Sequence, residues 1–227
     1  MSTGIVLMSR APIPGQTKTR MEAELSPKQC AQLHKAFLKD MSEMLLEVQE
    51  QREVNLYLAY TPAGTVDMFD DLVPAEFKRF LQFGQDLGAK MEAALSYAAQ
   101  ANDQQIVIGS DLPALQPKVL GEAIDLLQEN NIVLGPSEDG GYYLCGTNEP
   151  YSFLFDDILW GQDEVLEATI NKIEKQANLS YDLVDTCGDI DYYSELIELK
   201  EELEQSEEWE YYPKYTAERI EKLRIKR

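Results

Sequence analysis

Short apolar, β-branched runs alternate with amphipathic helical stretches along the whole chain, and this alternation limits the fold more than any single motif does. Residues 4–8, 54–60, 78–83, 105–109, 132–135, 143–146 and 183–184 read as strands. Between them, helical periodicity covers 27–51, 89–101, 117–129 and 163–176, with a further helix from about Tyr192 and a last one over 216–227. The first helix has the clearest start, Ser26 as cap followed by Pro27, and Leu33, Phe37, Met41, Met44, Leu45 and Val48 recur at threes and fours on one buried face. No repeat or low-complexity linker divides the chain. Residues 1–227 are therefore expected to form one α/β domain with a mostly parallel sheet between helical layers. The acidic and then basic stretch over 200–227 would be a helical C-terminal extension able to mediate a homodimer.

Open α/β sheets bind ligands beyond the C-terminal ends of their strands, so the residues just after each strand carry the functional argument. After the first strand come Arg10, Pro12, Pro14, Gly15, Lys18 and Arg20, a rigid loop with three cations. Such a loop suits a phosphate, although a solvated surface loop would have the same composition. The unbroken strand 105–109 delivers Ser110-Asp111, which puts one carboxylate at a central strand end. Asp139-Gly140-Gly141 precedes the strand at 143–146 and fits either a functional loop or a hairpin turn. Asp189 and Asp191 stand ahead of a late helix, where an aspartate can equally be a helix cap; so can Asp86 before the helix at 89–101.

Charge gives these cations more weight. With 41 acidic against 20 basic side chains, the net charge is −21. Such a surface repels nucleic acid and anionic membranes, so a polyanionic substrate needs a local positive site. No stretch approaches the roughly 20 apolar residues of a membrane span, and no signal-peptide core is evident. Cys30, Cys145 and Cys187 are odd in number and widely spaced, as expected of free thiols in a reducing cytoplasm. His34 is the only histidine, which disfavours a catalytic triad or a multi-histidine metal site; its expected place is a helix surface.

Two common phosphate motifs fail. Only Gly15 of a Gly-x-Gly-x-x-Gly fingerprint is present, and Thr17 stands where a P-loop needs glycine before its Lys-Thr. The remaining pattern is a basic first loop, an acid at a central strand end and a late Asp-x-Asp. Carboxylates from two such places can hold Mg²⁺ or Mn²⁺ through oxygen, leaving positions for phosphate oxygens. A site of that kind promotes loss of a nucleoside diphosphate from a sugar, or of pyrophosphate from a triphosphate.

Several linked stretches then carry a family resemblance: residues 11–20 (APIPGQTKTR), 86–91 (DLGAKM), 109–113 (GSDLP), 135–143 (GPSEDGGYY) and 189–191 (DID). In that order the sequence resembles the DUF2064 family of provisionally assigned glycosyltransferases, related to arsenosugar-biosynthesis glycosyltransferases. The likeness extends to about Leu199. It implies a GT-A, or nucleotide-diphospho-sugar transferase, fold and a metal-dependent glycosyltransferase with a nucleotide-sugar donor and a small-molecule acceptor. It implies nucleotide binding by Arg10, Ala11, Pro12, Gly15, Lys18 and Arg20, with Asp86, Leu87 and Gly88 near base and ribose. Asp111 would be the principal ligand of Mg²⁺ or Mn²⁺, joined by Asp191 or Asp189. Asp139 would be the general base, and Gly140, Gly141, Tyr142 and Trp160 would line the sugar or acceptor side. Arg10 and Lys90 exchange the family's usual Lys and Arg, and Gly161-Gln162 replaces its Ser-Thr pair, which implies a different acceptor or a reduced activity. Two other readings stay open: a nucleotidyltransferase acting on a triphosphate, and a nucleotide-binding protein without catalysis.

Overall fold

The computed structural model describes residues 1–205 and 209–223. The last four residues of the expected terminal helix, and positions 206–208 of the acidic stretch, lie outside the described residues. Among the described residues, seven strands form one sheet: β1 (Thr3–Arg10), β2 (Val54–Thr61), β3 (Lys78–Leu81), β4 (Gln104–Gly109), β5 (Ile132–Pro136), β6 (Tyr142–Thr147) and β7 (Tyr181–Leu183). Their order is β3-β2-β1-β4-β6-β5-β7. All neighbouring pairs are parallel except those made by β6, which runs antiparallel to both β4 and β5. This is the mostly parallel mixed sheet expected of the fold class.

Strand alternation separates two apolar layers. Ile5, Leu7, Leu56, Leu58, Ile106 and Ile108 point one way, into a cluster with Leu38, Met41 and Leu45 of α1 (Pro27–Gln51) and Leu120 and Ile124 of α3 (Pro117–Leu126). Val6, Tyr57, Ala59, Val107 and Cys145 point the other way, onto Met91, Ala94 and Leu95 of α2 (Leu87–Ala99) and Ile173 of α4 (Val165–Glu174). A third cluster joins Leu33 and Phe37 of α1 to Leu196 and Leu199 of α5 (Tyr193–Gln205) and Ile220 of α6 (Lys214–Leu223). The start of α1 follows from local chemistry. Gln29 N–H donates to the Ser26 hydroxyl while Ser26 N–H donates to Gln29 Oε1, a reciprocal capping box with Pro27 behind it.

The reversal at β6 matters for the site. Because β5 and β6 are consecutive and antiparallel, the loop at 137–141 is a hairpin lying at the same sheet edge as the C-terminal ends of β1, β2 and β4. Ser137 N–H donates to Gly141 O at 3.1 Å to close it. The first loop, the β4 end, the hairpin and the 189–191 segment therefore face one another. Among the described residues, no helix is long and apolar enough to cross a membrane.

Candidate active site

A cleft of about 620 Å³ opens at this edge. At its floor lies Lys18, the last residue before a single helical turn and, among the described residues, one of two non-glycine residues with positive φ, at 52°. A left-handed lysine is uncommon and here aims its side chain inward, where it is 2% exposed. Its ammonium is 2.9 Å from Asp111 Oδ1, 3.0 Å from Asp191 Oδ1 and 2.6 Å from the Ile190 carbonyl. Arg20 Nη1 donates to Asp191 Oδ2 at 2.5 Å. Ile190 N–H donates to Asp111 O at 2.9 Å, which fastens the late loop to the end of β4.

Asp111 and Asp191 thus meet around one buried cation. Burial alone would push the Asp111 carboxyl up, but Lys18 and then His34 override it and hold Asp111 well below the usual carboxylate range. Asp189 shows the opposite balance. Burial and then the neighbouring Asp191 push it up to about 6 against the pull of Lys18, with Asp139 and Asp111 adding to the rise. The helix-cap alternative for Asp189 and Asp191 is answered by Glu195, whose Oε2 takes the N–H groups of Asp191 and Tyr192 at 2.6 and 2.7 Å.

His34 is the correction. It is 2% exposed, not on a helix surface, because it belongs to the apolar stripe of α1 between Cys30 and Phe37. Nδ1 lies 3.1 Å from Asp111 Oδ1, and Nε2 lies 3.0 Å from the Arg10 carbonyl and 3.1 Å from the Ser9 hydroxyl. Ser110 Oγ continues the chain by donating to Ser9 Oγ at 3.1 Å. The signal was in the sequence: His34 stands three and seven residues before Phe37 and Met41, on the buried face.

The opposite wall is aromatic. Trp160 stacks on Phe155 with ring centroids 6.3 Å apart and meets Tyr142 edge-to-face at 6.2 Å. Its indole lies over the first turn of α2, where a Cβ on Gly88 would come within 2.5 Å of it. Asp139 lines the cleft, and its Oδ1 accepts from Ser137 Oγ at 2.5 Å and from Gly141 N–H at 3.0 Å. That is the hairpin turn the Asp-Gly-Gly sequence suggested, with Oδ2 left free of hydrogen bonds among the described residues.

Of the residues singled out from sequence, Arg10, Lys18, Arg20, Leu87, Asp111 and Asp139 reach the cleft wall, as do Gly141, Tyr142, Trp160, Asp189 and Asp191. Ala11, Pro12, Gly15, Asp86, Gly88 and Gly140 do not line it. Ala11 N–H is tied back to Thr61 O at 2.7 Å. Gly15 has φ 77° and open space within 4 Å of where a Cβ would stand, so the turn itself is what calls for glycine there. Asp86 caps α2 by accepting from Ala89 N–H at 2.8 Å. Gly161 and Gln162 also line the cleft, together with Gln82 and Lys90, which sequence reasoning did not assign to the site.

The family profile for DUF2064, described as "uncharacterized protein conserved in bacteria", matches residues 44–162, just over half of the chain. The chain belongs to the DUF2064 family. A crystal structure from Desulfovibrio desulfuricans G20, provisionally assigned as a nucleotide-diphospho-sugar transferase, superposes with a TM-score of 0.83 over 98% of this chain and 99% of that one, at 26% identity. A cytidylyltransferase from Leptospira borgpetersenii superposes at 0.59, covering 98% and 94% of the two chains at 15% identity. CMP:2-keto-3-deoxy-manno-octonic acid synthetase complexed with CTP superposes at 0.56, covering 90% and 99% at 10% identity. At those identities the last two share the fold alone. No curated protein matches the chain.

Proposed function

We propose that this protein is a metal-dependent nucleotide-diphospho-sugar transferase that moves a sugar from a nucleoside diphosphate to a small-molecule acceptor. The observation that carries the reading is the meeting of Asp111 and Asp191 over Lys18 at the floor of a cleft with an aromatic wall. The full-length likeness to the Desulfovibrio protein supports the transferase class.

The donor set fits a hard divalent cation. Asp111, Asp191 and the Ile190 carbonyl are oxygen donors, as Mg²⁺ and Mn²⁺ prefer; all three face the Lys18 ammonium, and Asp111 keeps its Oδ2 free of hydrogen bonds among the described residues. Among the described residues there is no cluster of three or more His, Cys, Asp or Glu side chains ready to cage a metal. Two carboxylates completed by substrate phosphate and water is the usual arrangement for Mg²⁺ in phosphate chemistry. Asp111 and Asp191 would hold the ion, with Asp189 beside them, and it would supply Lewis-acid stabilisation of the departing diphosphate.

The chain's own residues account for the rest. Arg10, Lys18, Arg20 and Lys90 surround the cleft with positive charge in an acidic protein, which attracts and orients a diphosphate. Trp160 and Tyr142 give the sugar or acceptor an apolar face. Asp139 Oδ2 is free to take the acceptor hydroxyl proton as the acceptor oxygen bonds to the anomeric carbon. The bond from that carbon to the diphosphate oxygen breaks in the same exchange. Incubating the protein with Mn²⁺ and a panel of nucleotide sugars tests this through metal-dependent release of one nucleoside diphosphate. Pyrophosphate release from a triphosphate would instead make it a nucleotidyltransferase, an activity hosted by the same fold.

A further inference from the structure

We infer that His34 is the positioning residue for the metal-facing carboxylate: it fixes the rotation of Asp111 so that Oδ2 is presented to the cation. This rests on the metal-dependent reading above. Asp111 has two oxygens, and both donors that reach it take the same one. Lys18 Nζ is 2.9 Å and His34 Nδ1 3.1 Å from Oδ1. Among the described residues, no hydrogen bond to Oδ2 is made, so that oxygen remains for a ligand.

The imidazole is itself held. Nε2 faces the Arg10 carbonyl at 3.0 Å, which anchors the far side of the ring. Ser9 Oγ, within 3.1 Å of Nε2, ties the ring to Ser110, the residue preceding Asp111. The backbone of α1 supplies the platform: His34 is 2% exposed and Phe37, one turn on, lies beneath Lys18 with its ring centroid 5.3 Å from Nζ. One helix therefore carries the His34 contact to Oδ1, packs Phe37 beneath the Lys18 donor, and through Arg10 O meets the first loop where it leaves β1. A histidine that merely filled the core would have no need of a carboxylate partner at the cleft floor.

Partners that orient a ligating carboxylate typically change metal affinity 10- to 100-fold when removed. The test is Mn²⁺ binding to the full chain, read by electron paramagnetic resonance, for wild type, His34→Ala, His34→Gln and Asp111→Asn, with the melting temperature of each recorded. The expected result is Asp111-dependent Mn²⁺ binding in the wild type, weakened roughly 10- to 100-fold in His34→Ala. His34→Gln, which keeps one donor, should fall between them. Wild-type affinity in folded His34→Ala, or in His34→Gln if the alanine variant does not fold, would overturn the inference and leave the metal site standing. A wild type that takes up no Mn²⁺ would overturn the metal reading and this inference with it.

Discussion

At the scale of single residues, Lys18 is where the electrostatics of the site are decided. Its ammonium is almost fully buried and neutralises two carboxylates that would otherwise repel each other. Removing one member of a buried charge group costs far more than the group contributes over an apolar replacement, because the partners are left uncompensated. Lys18→Met should lower stability by about 3 kcal/mol, measured as a shift in urea midpoint, and Mn²⁺ should restore part of it. Unchanged stability would show that Asp111 and Asp191 find other partners or protons. Asp111→Asn keeps the shape and the contact with Lys18 but loses the charge. It should abolish metal-dependent transfer, by at least about 100-fold on the scale of lost transition-state charge stabilisation, and lower the melting temperature because Lys18 loses one of its two charged partners. Asp111 and Lys18 could be singled out from the sequence because strand ends and basic loops are local features. Their association with Asp191 was legible only through the family resemblance and not from local pattern, since it is made by segments far apart along the chain. His34 was misplaced for a different reason: a polar residue type outweighed a position that the helical period assigned to the core.

At the scale of elements, the hairpin between β5 and β6 and the helices α2 and α4 form the aromatic side of the cleft. Gly140, at φ 81°, packs so tightly on the chain entering α4 that a Cβ would sit 1.9 Å from Asp163 O. Leu166 N–H also donates to Gly140 O at 2.9 Å. Gly140→Ala therefore combines a left-handed alanine with a backbone clash, and a loss of about 2–3 kcal/mol is expected in chemical denaturation. Gly88→Ala clashes instead with the Trp160 indole, a side chain that can move. Its expected signature is a raised acceptor KM with little change in melting temperature; an unchanged KM would separate Trp160 from acceptor binding. The helix α1, with its Ser26-Gln29 capping box and apolar stripe, was legible almost residue for residue. The Asp-Gly-Gly turn was legible as a hairpin. The parallel or antiparallel sense of β6 was not, because a short apolar strand carries no mark of its direction. β5 runs in the direction of β4 and so delivers Asp139 to the same edge as Asp111, and the reversal at β6 keeps the loop there.

At the scale of the whole molecule, α1 links the site to the C-terminal helices. Asp40 on α1 accepts from Tyr215 N–H at 3.1 Å and Thr216 N–H at 2.7 Å at the start of α6. Burial raises its carboxyl from 3.8 to about 6, opposed by the Thr216 and Tyr215 donors and aided by Glu43. Glu43 is in turn paired with Lys214 and bonded to the Tyr215 hydroxyl. The folded protein therefore holds this proton more tightly than the unfolded chain, so the stabilisation is complete below about pH 4 and is lost as pH rises through about 6. Measured against Asp40→Asn, the wild-type unfolding free energy from urea denaturation should fall across that window, by about 1.4 kcal/mol per pH unit at most, and level off above it. A parallel pH course for the two proteins would contradict the assignment. The central claim is that Asp111 and Asp191, set around Lys18, form a metal-assisted diphosphate site. The most direct measurement is a thermal-shift panel of nucleoside diphosphates, nucleotide sugars and triphosphates with and without Mn²⁺ or Mg²⁺, run on wild type and Asp111→Asn. The account predicts metal-dependent stabilisation by one diphosphate and its sugars, about 2.7 kcal/mol at a hundred times the dissociation constant, absent from the variant. Equal stabilisation with and without metal, or in both proteins, would contradict it.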